Sequence, residues 1–135
     1  MWKSNGTAVG TVQVKDIFAG ATGSNPANFA VFGSELFFSA SDSTTNGIEL
    51  WKTDGTLAGT VRVKDIFSGS SSSSPANLAR VDSTIYFAAS NSTANGTELW
   101  KSDGTDAGTV LVANINPLTN TGSSPANLAA VGSTL

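Results

Sequence analysis

The chain of 135 residues contains neither cysteine nor histidine. Their absence excludes disulfide frameworks, thiolate and imidazole metal sites, and nucleophile–base pairs built on either residue. Charge is scarce as well. Acidic and basic side chains make up 13% of the residues and leave a net charge of -3, too little and of the wrong sign for a phosphate-backbone binder. No apolar run approaches the roughly 20 residues that cross a bilayer, and Met1-Trp2-Lys3-Ser4-Asn5-Gly6 carries no signal-peptide core. Neither a nucleic-acid partner nor membrane insertion is expected. A sustained helical apolar period is missing too, while β-branched residues, Gly, Ser and Thr dominate, which predicts an all-β chain. With 39% apolar residues, the chain is expected to fold, and its length suits one domain.

What is present is a repeat. Trp2, Trp51 and Trp100 recur every 49 residues, and so do Ile17, Ile66 and Ile115. The chain therefore reads as one array with units at 2–50, 51–99 and 100–135. Pro26-Ala27-Asn28 returns as Pro75-Ala76-Asn77 and Pro125-Ala126-Asn127, the last step being 50. The added residue falls between Ile115 and Pro125, in a polar segment where a surface loop tolerates insertion.

Within a unit, 78–81 and 85–89 are short apolar runs around a tight turn. Residues 97–101 and 109–112 flank Asp103-Gly104, a strong hairpin signal. Each unit thus holds four antiparallel strands. The second is apolar without interruption (Leu36-Phe37-Phe38, Ile85-Tyr86-Phe87), so it is expected to be inner and buried on both faces. The fourth alternates, with Val61 and Val63 against Arg62 and Lys64, and is expected to be outer.

Such units match β-propeller-like blades better than solenoid rungs; a three-fold β-trefoil is the alternative. The last unit is incomplete, because Leu135 aligns with Ile85. The expectation is a fragment of a longer array, or copies that share a blade and associate into a ring with three blades per subunit.

Glu49-Leu50-Trp51-Lys52-Thr53-Asp54-Gly55-Thr56 and Glu98-Leu99-Trp100-Lys101-Ser102-Asp103-Gly104-Thr105 resemble the bacterial ELWxxDGT repeat, and the Ala-Gly-Thr-Val and Pro-Ala-Asn-Leu segments agree with it. The resemblance covers essentially the whole chain. The first copy departs, with Met1 for Leu and Asn5 for Asp. The resemblance implies large, multi-repeat, exported bacterial proteins, propeller-like and without an established catalytic residue, and hence a secreted or cell-surface location.

Each candidate site has a structural counterpart. Trp2, Trp51 and Trp100 either stack on sugar rings or, the favoured reading, fill the space between blades. Asp54 and Asp103 are expected to accept bonds from amides two residues on, with Gly55 and Gly104 at positive φ. No cofactor is expected. Calcium is the one metal whose chemistry fits, with Asp16 and Asp65 as candidates beside oxygen-rich loops. Glu49 and Glu98 as glycosidase acids are set aside, since equivalent residues sit a whole unit apart; pairing with Lys52 and Lys101 is expected instead. No enzyme activity is expected. The Asn-x-Ser/Thr matches at Asn5, Asn91 and Asn95 are ascribed to composition.

The loops at 41–47 and 90–96 and those at 18–25, 67–74 and 116–124 are expected on one face. Asn28, Asn77, Asn127, Ser90, Asn91 and Asn95 are its candidate ligand-binding residues, with hydroxyls and amides suited to a glycan or a peptide backbone. The expected role is a non-catalytic extracellular module for adhesion, binding or scaffolding, whose partners are a glycan, a protein surface, a second copy or neighbouring repeats. A purely structural spacer and a self-contained three-fold lectin are the alternatives.

Overall fold

The computed structural model describes residues 1–118 and 121–135; Thr119 and Asn120, in the loop expected at 116–124, lie outside the described residues. Ten strands form three antiparallel sheets, and no helix occurs among the described residues. A two-stranded sheet joins β1 (Trp2–Lys3) to β2 (Val12–Gln13). The first four-stranded sheet runs in chain order through β3 (Ala27–Phe32), β4 (Glu35–Ser41), β5 (Ile48–Thr53) and β6 (Val61–Lys64). The second repeats it with β7 (Ala76–Val81), β8 (Thr84–Ser90), β9 (Thr97–Ser102) and β10 (Val110–Ala113).

Local chemistry sets this meander. Two residues, Gly33-Ser34 or Asp82-Ser83, join the first strand of each sheet to the second, with φ of +61° at Gly33 and +50° at Asp82; such positive φ suits a two-residue hairpin. Between the third and fourth strands, Asp54 Oδ1 accepts Thr56 N at 2.9 Å and Thr56 Oγ1 at 2.7 Å, and Asp103 holds Thr105 at the same distances. Gly55 and Gly104 stand at φ +86° and +90°. Asn5 closes the same turn with an amide oxygen, taking Thr7 N at 3.1 Å and Thr7 Oγ1 at 2.8 Å.

The second strands, β4 and β8, lie inside their sheets. Phe37, Phe38, Ser39 and Ala40 are buried in β4, and Ile85, Phe87, Ala88 and Ala89 in β8. Edge strands β6 and β10 expose Val61 and Val110. The other edges, β3 and β7, approach one another across the two sheets. Phe37, Leu50, Val63 and Ile66 of one sheet pack against Ile85, Phe87, Ala89 and Trp100 of the next. A smaller cluster of Ile17, Phe38, Ala40 and Trp51 joins the two-stranded sheet to the first four-stranded one. Trp51 and Trp100 are therefore 5% and 6% exposed, whereas Trp2 is 63% exposed.

Polar bonds fix the register between units. Asn28 Nδ2 donates to Pro75 O and Asn77 Nδ2 to Pro125 O, both at 3.1 Å. Each Asn sits at φ +55° where the pairing of its strand with the next shifts register, a bulge. Asparagine tolerates the left-handed region better than most residues, so the repeated Pro-Ala-Asn places a bulge and a cross-unit donor together. Lys15 Nζ reaches Thr60 O at 2.7 Å, and Lys64 Nζ reaches Asp106 O at 3.0 Å.

Candidate functional site

An antiparallel meander puts the links β4–β5, β6–β7 and β8–β9 at one end of the sheets, together with the segment after β10. Backbone bonds tie these links together: Ser41 N to Ser24 O and Ser90 N to Ser73 O at 3.0 Å, Ser74 N to Ile48 O at 3.1 Å, and Ser124 N to Thr97 O at 2.9 Å. Ile48 N also donates to Ser72 Oγ at 2.9 Å. The approach is so close that a Cβ on Gly47 would fall 2.0 Å from Ser71 O, and one on Gly96 would fall 2.4 Å from Gly122 N. Only glycine fits there.

One carboxylate from each four-stranded sheet anchors this end. Glu49 is buried; its Oε2 accepts Ile66 N at 2.8 Å and Ser73 Oγ at 2.6 Å, and its Oε1 accepts Ser73 N at 2.9 Å. Glu98 repeats the arrangement with Ile115 N and Ser123 N at 3.0 Å and Ser123 Oγ at 2.6 Å. The two differ in proton affinity. Burial pushes the Glu49 carboxyl up, and despite the bonds from Ser73 and Ile66 it stays above its ordinary value, with the nearby Asp65 charge adding to the rise. At Glu98 burial also acts upward, but the bonds from Ser123, Ile115 and Asn116 outweigh it and hold the carboxyl low. Asn114 stands 49 residues after Asp65, at the equivalent position, so no equivalent charge opposes Glu98.

The expected pairing of Glu49 and Glu98 with Lys52 and Lys101 is thereby corrected. Residues three apart on a strand point to opposite faces, and Lys52 Nζ instead meets Glu35 at 3.0 Å. The glutamates are loop anchors. A signal was present in the sequence: Ser24, Ser73 and Ser123 each stand two residues before a proline, and Glu49 and Glu98 precede Ser73 and Ser123 by 24 and 25 residues.

Other candidates occupy varied places. Ser90 Oγ donates to Ser92 O at 2.9 Å, and Asn95 Nδ2 to Asn91 Oδ1 at 3.4 Å, so these three brace their own loop. Asn28, Asn77 and Asn127 are exposed, all at φ +55°, and the first two spend their amide donors between units. The structure separates Asp16 from Asp65. Asp16 is exposed and lines a cleft of about 530 Å³, while the Asp65 carboxylate faces the Arg62 guanidinium at 3.9 Å, with Asp42 at 3.7 Å from the same nitrogen. Among the described residues no three acidic side chains gather as a cation site.

That cleft lies between the two-stranded sheet and the loop before β3. Trp2, Gln13, Asp16, Thr22, Ser24 and Asn25 line it, so the exposed indole stands beside hydroxyl and amide groups. Sequence reasoning grouped Trp2 with its buried equivalents and missed this difference, because exposure depends on what covers each unit. Compared with protein-family models, curated proteins and solved structures, the chain matches none.

Proposed function

We propose that the chain is a non-catalytic, propeller-like repeat module of a secreted or cell-surface protein, which binds a glycan or a peptide backbone at its loop end. The observation that carries this reading is the 530 Å³ cleft at that end, where the exposed Trp2 meets Gln13, Thr22 and Asn25. An indole face offers apolar area to polarised C–H groups, and the amides and hydroxyls offer directional hydrogen bonds. Ser24 O, at the cleft, accepts Ser41 N at 3.0 Å, which ties the lining loop to the first four-stranded sheet before any ligand arrives and lowers the ordering cost of binding. The blade-like reading draws support from two self-contained four-stranded meanders packed face to face. Export and membership of ELWxxDGT-type arrays rest on the sequence resemblance.

A structural spacer is the second reading. It is favoured by the internal use of the Asn28, Asn77, Asn91 and Asn95 side chains. A glycan array probed with the chain and with Trp2→Ala separates the two. Binding lost in the variant at unchanged stability supports the module; no binding by either protein supports the spacer.

A further inference from the structure

The two four-stranded sheets carry the same forward face, but only one is covered. In the first sheet Phe37 and Leu50 are fully buried, and Val63 and Ile66 are each 6% exposed beneath the second sheet. Their equivalents are Tyr86, Leu99, Val112 and Ile115. Tyr86 and Leu99 are half-buried, Val112 is 43% exposed and Ile115 is 54% exposed. Chemistry and spacing match, so the difference lies in what sits on top.

We propose that the face formed by Tyr86, Leu99, Val112 and Ile115 is a docking surface for one kind of partner, a further β-sheet unit of this same repeat. Its complement is already present in the chain. The partner would present the surface that Ile85, Phe87, Ala89 and Trp100 present to the first sheet. Three small apolar or aromatic side chains of a second strand and the tryptophan of a third close that interface without a charged group in its core.

Polar groups beside the face agree with this occupant. Asn77 already donates to Pro125 O, as Asn28 donates to Pro75 O. Val131 and Thr134 form the bridge that corresponds to Val81 and Thr84 in the second sheet, around Gly132 at φ +62°. The turn that joins the first two strands of each four-stranded sheet is thus repeated after β10. One anchor differs: Ala113 takes the place of Lys64, whose ammonium reaches Asp106 O. Docking here rests on apolar contact more heavily than at the existing interface. This inference is independent of what the loop end binds.

The test uses the whole chain and a version extended after Leu135 by a second copy of residues 86–118, which continues the third unit in phase. Because the chain has no cysteine, Ile115→Cys gives a single thiol whose alkylation rate reads the cover on that face. The rate is expected to fall at least about tenfold on extension, while Ile66→Cys, under the second sheet, reacts slowly in both proteins. Ile115→Asp is expected to lower the denaturation midpoint of the extended chain and to leave that of the 135-residue chain nearly unchanged. Equal thiol reactivity in the two proteins overturns the proposal, as does an extended chain that unfolds without a cooperative transition or is indifferent to Ile115→Asp.

Discussion

The sheets β3–β6 and β7–β10 share strand order and turn chemistry and carry the same glutamate anchor, yet they differ in what lies beyond them. Val63 and Ile66 are covered, and Val112 and Ile115 are open. Glu49 holds its proton more tightly than an ordinary carboxylate, and Glu98 less tightly. Near-identical sequences have therefore acquired different surfaces and opposite electrostatics. In a repeat array the neighbour determines burial, and burial determines what a residue type does.

The sharpest way to test that comparison is to truncate the tryptophans. Trp100→Ala empties a site packed on both sheets and is expected to cost roughly 3–5 kcal/mol in urea unfolding. Trp2→Ala, which opens no cavity between sheets, should stay within about 0.5 kcal/mol in dilute solution. Similar losses at the two positions would mean that cover by a neighbouring unit is not what distinguishes them.

Next in size is the anchor. Glu49→Ala strands the amides of Ile66 and Ser73 in a buried place and leaves the Ser73 hydroxyl only its longer bond to Ile48 O at 3.3 Å. At about 1 kcal/mol or more for each unmet group, a loss near 3 kcal/mol is expected. Glu98→Ala should cost less, because Ile115 and Ser123 lie nearer solvent. Amide exchange at Ser73 and Ser123 reports each loop separately. Asn28→Ala removes a cross-unit donor and leaves alanine at a positive φ, with an expected cost of about 1–2 kcal/mol.

The pH dependence separates the two glutamates by sign. Glu49 titrates above its unfolded value of 4.5, so its contribution is fully present below that value and is lost as pH rises through the folded pKa. Glu98 titrates below 4.5, so its contribution is present above that value and is lost as pH falls through the folded pKa. Urea midpoints taken between about pH 3 and about pH 8 should show Glu49→Gln removing the decline on the alkaline side and Glu98→Gln removing the decline on the acid side. Matching profiles for the two variants would contradict the contrast.

The smallest expected effect is at the Asp-Gly-Thr turn. Bonds from the Thr56 hydroxyl and amide hold Asp54 below its ordinary 3.8, so its stabilising contribution is present above that value and fades as acid reaches the folded pKa. Asn5 makes the same two bonds in the first unit. Asp54→Asn should accordingly keep the turn and lose only this acid dependence, a difference readable in the low-pH melting curve.

Much of the fold was legible because local rules carry it. The unbroken apolar run 36–38 marks a strand covered on both faces, and Asp-Gly marks the hairpin between β5 and β6 or between β9 and β10. The candidate site was less legible. Glu49 looks like a surface partner for Lys52 until the chain is folded, since nothing local shows that Ser73 lies over it. Asn28 and Asn77 read from the sequence as candidate ligand-binding residues, and only the fold shows that they stand at strand bulges and donate to the next unit.

Sequence alone determined the period, the four-strand unit and the turn types, because each depends on side-chain alternation and on φ preferences within a few residues. The tertiary structure decided which of three equivalent tryptophans is exposed, which glutamate binds its proton more tightly, and which apolar face stays open. Those properties depend on contacts between units 49 residues apart, where the same residue meets either a neighbouring sheet or water.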